Sequence, residues 1–165
     1  MSEQKSKMIE KNSEISQKRE IDQYSYELGV MDCFCEMVAA GLKKLAMSHP
    51  CDTREERSRY EEEVTALCKK YQILYYPEDE AFLTDLFPEE ANKGKFNYLF
   101  FRTQEVLDEY LGLKEQQKLM KEQGTYTGQK RYEIAKGFGK LLSYPDEGID
   151  RLIQKTLDGK KTTEK

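Results

Sequence analysis

Residues 26–49 read YELGVMDCFCEMVAAGLKKLAMSH, the longest stretch of helical apolar spacing in the chain. Leu28, Met31, Cys35, Val38, Leu42 and Leu45 fall at alternating steps of three and four, which places them along one side of an α-helix. Cys33, Met37, Ala40 and Gly41 cover much of the opposite side. Charge is confined mainly to one stripe of Asp32, Glu36 and Lys43, with Lys44 on the far side. A helix that is apolar over most of its surface is packed by several neighbours. The pattern therefore predicts a mostly buried central helix over about 15–48. Ser48-His49-Pro50 closes it, because proline disfavours helical geometry in the residue before it.

Working outward, Asp52-Thr53 followed by Glu55 and Glu56 reads as a capping box opening a surface helix over about 53–72. Tyr60, Val64, Leu67 and Tyr71 form its apolar face. Ile73 to Pro77 breaks the pattern, and Pro77 suits the first turn of a short helix over about 78–87. Phe96-Asn97-Tyr98-Leu99-Phe100-Phe101 alternates like a strand, yet no second strand is apparent in the sequence to pair with it. It is read as the buried start of a helix running to Leu111 and stopped by Gly112. A polar helical run at 113–123, a loop at 124–128 and a helix over about 129–142 follow. Within that helix Gly137 and Gly139 either weaken it or admit a close neighbour. The last helix spans about 146–157. One phrase occurs twice, Leu74-x-Tyr76-Pro77 and Leu142-x-Tyr144-Pro145, each followed by two acids; it reads as a reused helix–Tyr-Pro–helix corner. The expected fold is an all-α, single-domain helical bundle over 15–158, with polar tails at 1–14 and 159–165.

The phrase Phe138-Gly139-Lys140-Leu141-Leu142-Ser143-Tyr144-Pro145-x-x-x-Ile149 resembles a closing phrase in several uncharacterised small bacterial and archaeal proteins, and that resemblance implies no activity. LeuLeuSerTyrProAspGlu at 141–147 also resembles a phrase in the all-helical assembly chaperones of molybdoenzymes. There it opens the chain, whereas here it nearly closes it, and no function is carried over.

Composition narrows the function classes. The formal net charge is -4, which argues against general nucleic-acid or anionic-membrane binding. No apolar run approaches the roughly 20 residues that span a bilayer. The first residues, MSEQKSKMIEKNSE, hold no apolar signal core, so a cytoplasmic location with reduced thiols is expected. Cys33 and Cys35 sit two apart on a helix and point roughly 200° from each other, so no metal site and no cofactor is expected. His49, the only histidine, reads as a helix-end cap or a packing residue rather than a base. No catalytic residue is assigned. The candidate ligand-binding set is Asp32, Glu36 and Lys43 with His49 nearby, forming a polar cleft with Glu36 on its wall. The leading functional reading is binding of a protein partner, with self-association also open. The alternative is a small-molecule-binding protein or enzyme that uses the Asp32/Glu36/Lys43 cleft.

Overall fold

The computed structural model describes residues 19–163. Helix α1 (Gln23–Ala39) begins where Asp22 caps it, its carboxylate accepting the Ser25 backbone N–H at 3.1 Å. The helix ends well short of residue 48, and only Met31, Cys35 and Val38 of it are buried, so it covers one face of the core and is not the mostly buried central helix expected. Gly41 takes a left-handed φ of 75° just past the cap, a conformation that costs glycine little. Beyond it the chain becomes strand β1 (Leu45–Met47). Helices α2 (Arg54–Ser58) and α3 (Glu61–Tyr71) follow, then strand β2 (Leu74–Glu78), the short α4 (Glu89–Asn92) and strand β3 (Asn97–Phe101). Helices α5 (Gln104–Glu122), α6 (Gly128–Leu141) and α7 (Asp146–Thr163) complete the order.

The three strands form one antiparallel sheet in the order β1-β3-β2. Leu45 lies opposite Phe101, and Leu74 pairs with the other side of that same residue. The protein is therefore mixed α/β, and the expectation of an all-α helical bundle is overturned. The physical reason lies in β3, where all five residues are buried. Tyr98 and Phe100 face one way and pack with Met31, Cys35 and Val38 of α1 and with Val64 and Cys68 of α3. Leu99 and Phe101 face the other way, into Leu107 and Tyr110 of α5, Phe138 of α6 and Ile149 of α7. A strand covered on both faces loses the apolar–polar alternation that distinguishes it from a buried helix.

Several local expectations change with it. Pro77 sits inside β2, not at a helix start; β2 is an edge strand, where a missing N–H costs no ladder bond. The short helix expected over 78–87 is absent, and Ala81, Phe82 and Leu86 are buried from a loop. Gly112 does not stop a helix, since α5 runs through it from Gln104 to Glu122. The repeated Leu-x-Tyr-Pro phrase takes two conformations: a strand at Leu74–Pro77 and the α6–α7 corner at Leu142–Pro145. Tertiary pairing, not the local phrase, decides between them. Tyr144 at that corner is 37% exposed, so it flanks the core rather than filling it. Helix α7 continues beyond Gly159 to Thr163, into the expected C-terminal tail, while the tail expected at 1–14 lies outside the described residues.

Other expectations match the structure. Thr53 caps α2 by accepting the Glu56 N–H at 3.1 Å, and the Glu56 carboxylate accepts the Asp52 N–H at 2.8 Å. A turn at Arg59–Tyr60 divides the expected 53–72 helix into α2 and α3. Gly139 does admit a close neighbour: a Cβ there would lie 2.7 Å from Ile149 Cγ1. Among the described residues, no helix is long and apolar enough to cross a membrane.

Candidate functional site

The four candidate residues do not converge. Asp32 projects from α1 toward α3, where its carboxylate accepts from the Tyr71 hydroxyl at 2.8 Å and from Lys70 Nζ at 3.1 Å. The Tyr71 hydrogen bond, and then that of Lys70, hold its carboxyl below the usual carboxylate range. Glu36, one turn further along α1, is exposed and forms no cleft wall. Lys43 lies past the end of α1 and turns away from both. Its Nζ donates to the Leu142 carbonyl at 2.7 Å and sits 5.1 Å from the centre of the Tyr144 ring, and burial lowers its pKa. The expected Asp32/Glu36/Lys43 stripe needed an unbroken helix, and the Gly41 turn removes its third member.

His49 stands at the end of the sheet, in the chain that leaves β1. Its Nδ1 is 3.2 Å from Glu27 Oε2, and its Nε2 is 3.3 Å from Cys51 Sγ. The Nδ1 contact has ion-pair distance but not hydrogen-bond alignment, since Nδ1 has no hydrogen-bond partner. The ring meets Tyr60 edge-on, and Tyr60 stacks on Tyr24. His49 therefore packs between side chains and is not an exposed helix cap. Sequence reasoning missed Glu27 and Cys51 as its neighbours. The spacing His49-x-Cys51 was visible, but Glu27 arrives from α1 through the tertiary fold.

What the structure does place beside Asp32 is a groove. It runs between α1 and α3 with a volume of about 460 Å³, and Leu28, Gly29, Ala66 and Leu67 give it an apolar floor. Asp32, Glu63 and Lys70 stand on its rim. The Tyr24 hydroxyl donates to the Arg59 carbonyl at 3.3 Å, and the nearby Glu63 carboxylate pushes the phenol up to about 12 while Tyr24 holds the Glu63 carboxyl below its usual range. The two helices run parallel, with Tyr24 beside Tyr60 at one end and Asp32 beside Tyr71 at the other. Below the floor the Cys68 thiol, together with burial, pushes the neighbouring Cys35 thiol up.

A larger concavity of about 780 Å³ lies between Glu80–Leu83 and α5. Its inner polar groups are tied to the scaffold: Lys114 Nζ reaches Glu78 at 2.9 Å, and Gln117 Nε2 donates to the Leu83 carbonyl at 2.6 Å. Next to it the buried Asp85 carboxylate is gripped by Arg131 through two nitrogens and by Lys160 at 2.9 Å. Burial works against that charge, but the two cations outweigh it and keep the Asp85 carboxyl below its usual range. Both features fasten the 80–87 loop to the helices. Among the described residues, no three of His, Cys, Asp and Glu come together in a set that could hold a metal ion.

No family model, no curated protein and no solved structure matches this chain.

Proposed function

We propose that this chain is a cytoplasmic binding protein that seats a basic amphipathic helix of a protein partner in the α1–α3 groove. The observation that carries this reading is the groove itself, an open apolar trough on the outer side of the α1–α3 layer, with small residues at its base and an acidic margin. Helix-in-groove recognition needs an apolar trough for a stripe of anchors and a charged rim to set orientation. Gly29 and Ala66 keep the floor low enough for a helix backbone to approach. A Cβ added at Gly29 would meet nothing within 4 Å, so the fold itself does not require glycine there. An alanine at that position would favour the helix by about 1 kcal/mol. On the rim, Asp32 and Glu63 stand against Lys70, which is already paired with Asp32, and the exposed Glu36 extends the acidic side. That balance favours a cationic partner. The hydroxyl in the lining, Ser25, is tied to the Asp22 helix cap and has no histidine in the lining beside it, which favours binding over nucleophilic chemistry in the groove. The four free thiols suit a reducing compartment.

The test is fluorescence anisotropy with a labelled Leu/Lys amphipathic helix of about five turns. A Leu/Glu helix with the same apolar stripe is the control. The basic peptide is expected to bind saturably, and Gly29→Trp, which fills the trough, should weaken it at least about tenfold, or roughly 1.4 kcal/mol. Equal affinity for both peptides, or no change with Gly29→Trp, would rule the reading out.

A further inference from the structure

We propose that Cys51 is a base-assisted nucleophilic thiol that reacts with small hydroperoxides, with His49 as the base and Glu27 as the group that steadies it. Three side chains from two parts of the chain stand in line: Sγ is 3.3 Å from His49 Nε2, and Nδ1 of the same ring is 3.2 Å from Glu27 Oε2. Thiol, imidazole and carboxylate in that order can activate a nucleophile, with Glu27 here acting by charge at ion-pair distance on the imidazolium that forms, not through a hydrogen bond to Nδ1. The position of Cys51 is fixed by a reciprocal backbone pair with Phe96, at 2.8 and 3.0 Å. Burial, reinforced by Glu56, pushes the thiol up to about 11, so the resting sulfur holds its proton and reacts by general-base transfer rather than as a standing thiolate.

The surroundings choose the substrate class. Cys51 is 1% exposed, while its chain neighbours Pro50 and Asp52 are exposed. A thiol so covered is out of reach of a peptide or an ester, which leaves a small neutral molecule as the substrate class. Acyl transfer would also need free backbone donors for an oxyanion. The Cys51 N–H is bound to Phe96, and the Asp52 N–H to Glu56. A peroxide needs only donors for its departing oxygen. Arg57, whose charge acts on Cys51, keeps its buried Nε without an acceptor and has the chemistry to supply one. In the reaction Sγ attacks one peroxide oxygen, the S–O bond forms and the O–O bond breaks. The thiol proton passes to His49 Nε2 and from there to the departing oxygen, which leaves as water from hydrogen peroxide or as the alcohol from an alkyl hydroperoxide. Sulfur is oxidised to the sulfenic acid and the peroxide is reduced.

The test exposes the folded protein to stoichiometric hydrogen peroxide. Timed samples are unfolded in dimedone to trap sulfenic acid, and each cysteine is then read by peptide mass spectrometry. Cys33, exposed and without a base beside it, is the internal comparison. Cys51 is expected to trap ahead of Cys33. Its rate should fall by roughly tenfold or more in His49→Asn, the lower end of what a general base supplies. Glu27→Gln should slow it in the same direction and decides the matter should His49→Asn fail to fold by circular dichroism. Cys33 trapping first, or an unchanged Cys51 rate in a folded variant, would overturn the proposal.

Discussion

The same substitution, glycine to alanine, should have opposite effects at two helical positions of this protein. At Gly139 of α6 a Cβ would sit 2.7 Å from Ile149 Cγ1 and 2.9 Å from its Cδ1. Carbon atoms prefer about 3.5–4.0 Å, and Ile149 is wholly buried, so it has no open direction in which to turn. Overpacking of this kind costs about 1–3 kcal/mol, while alanine returns about 1 kcal/mol of helix propensity. With both contacts under 3 Å, the net loss should be about 1–2 kcal/mol. At Gly29 the same Cβ meets nothing within 4 Å, so only the propensity gain of about 0.5–1 kcal/mol remains. The two variants should therefore differ by roughly 2 kcal/mol, or about 4–8 °C in Tm for a domain of this size. Urea titrations with a common slope are the assay. Ile149→Val deletes Cδ1, so Gly139→Ala should cost less in that background than in wild type. Equal stability of Gly139→Ala and Gly29→Ala would refute the close α6–α7 approach and, with it, the packing described on that side of the sheet.

Other expectations follow from the same geometry. Asp85→Asn should lower stability at neutral pH by roughly 1–3 kcal/mol, less than the ~3–5 kcal/mol for breaking a fully buried pair, because Arg131 and Lys160 keep 38% and 39% exposure and can turn to water. Because the Asp85 carboxyl is depressed in the fold, its contribution is complete above the unfolded carboxylate range and fades as pH falls through the lower folded value; Asp85→Asn should flatten that acid limb, and an unaltered limb in acid titrations followed by circular dichroism would contradict it. Phe100→Ala should cost about 3–5 kcal/mol, since that ring is fully buried in the central strand; a loss under 1 kcal/mol in urea would deny the sheet its place in the core. Tyr144→Ala should cost roughly 1–2 kcal/mol, below a fully buried aromatic, because its ring is partly exposed beside Lys43 and Phe87; a thermal melt showing a larger loss would put the ring in the core after all.

The helices of this fold were largely legible and the sheet was not, for reasons specific to each strand. The period of α1 continues in the sequence through Leu42 and Leu45, so nothing local marks the end at Ala39 except Gly41. Strand β1 has three residues, too few for any alternation to show. Strand β2 carries Pro77, which is an argument against a central strand but is tolerated at an edge. Strand β3 shows only a hint of alternation, because both its faces are buried, and no partner for it is visible in the sequence. Both partners were hidden, one inside an apparent helix and the other behind a proline. Of the candidate residues, Asp32 borders the α1–α3 groove. Glu36 went to solvent, and Lys43 left with the Gly41 turn. The Glu27–His49–Cys51 alignment depends on α1 lying across the end of the sheet, and no local spacing encodes that.

The central claim is that the α1–α3 trough receives a basic helix. Amide chemical-shift mapping on nitrogen-15-labelled protein, titrated with the Leu/Lys peptide, tests it most directly. The predicted result is a continuous set of shifted amides at Leu28, Gly29, Asp32, Ala66, Leu67 and Lys70, lost in Gly29→Trp. Shifts gathered instead around Ala81–Leu83 and Lys114–Lys121, or no shifts at saturating peptide, would contradict it.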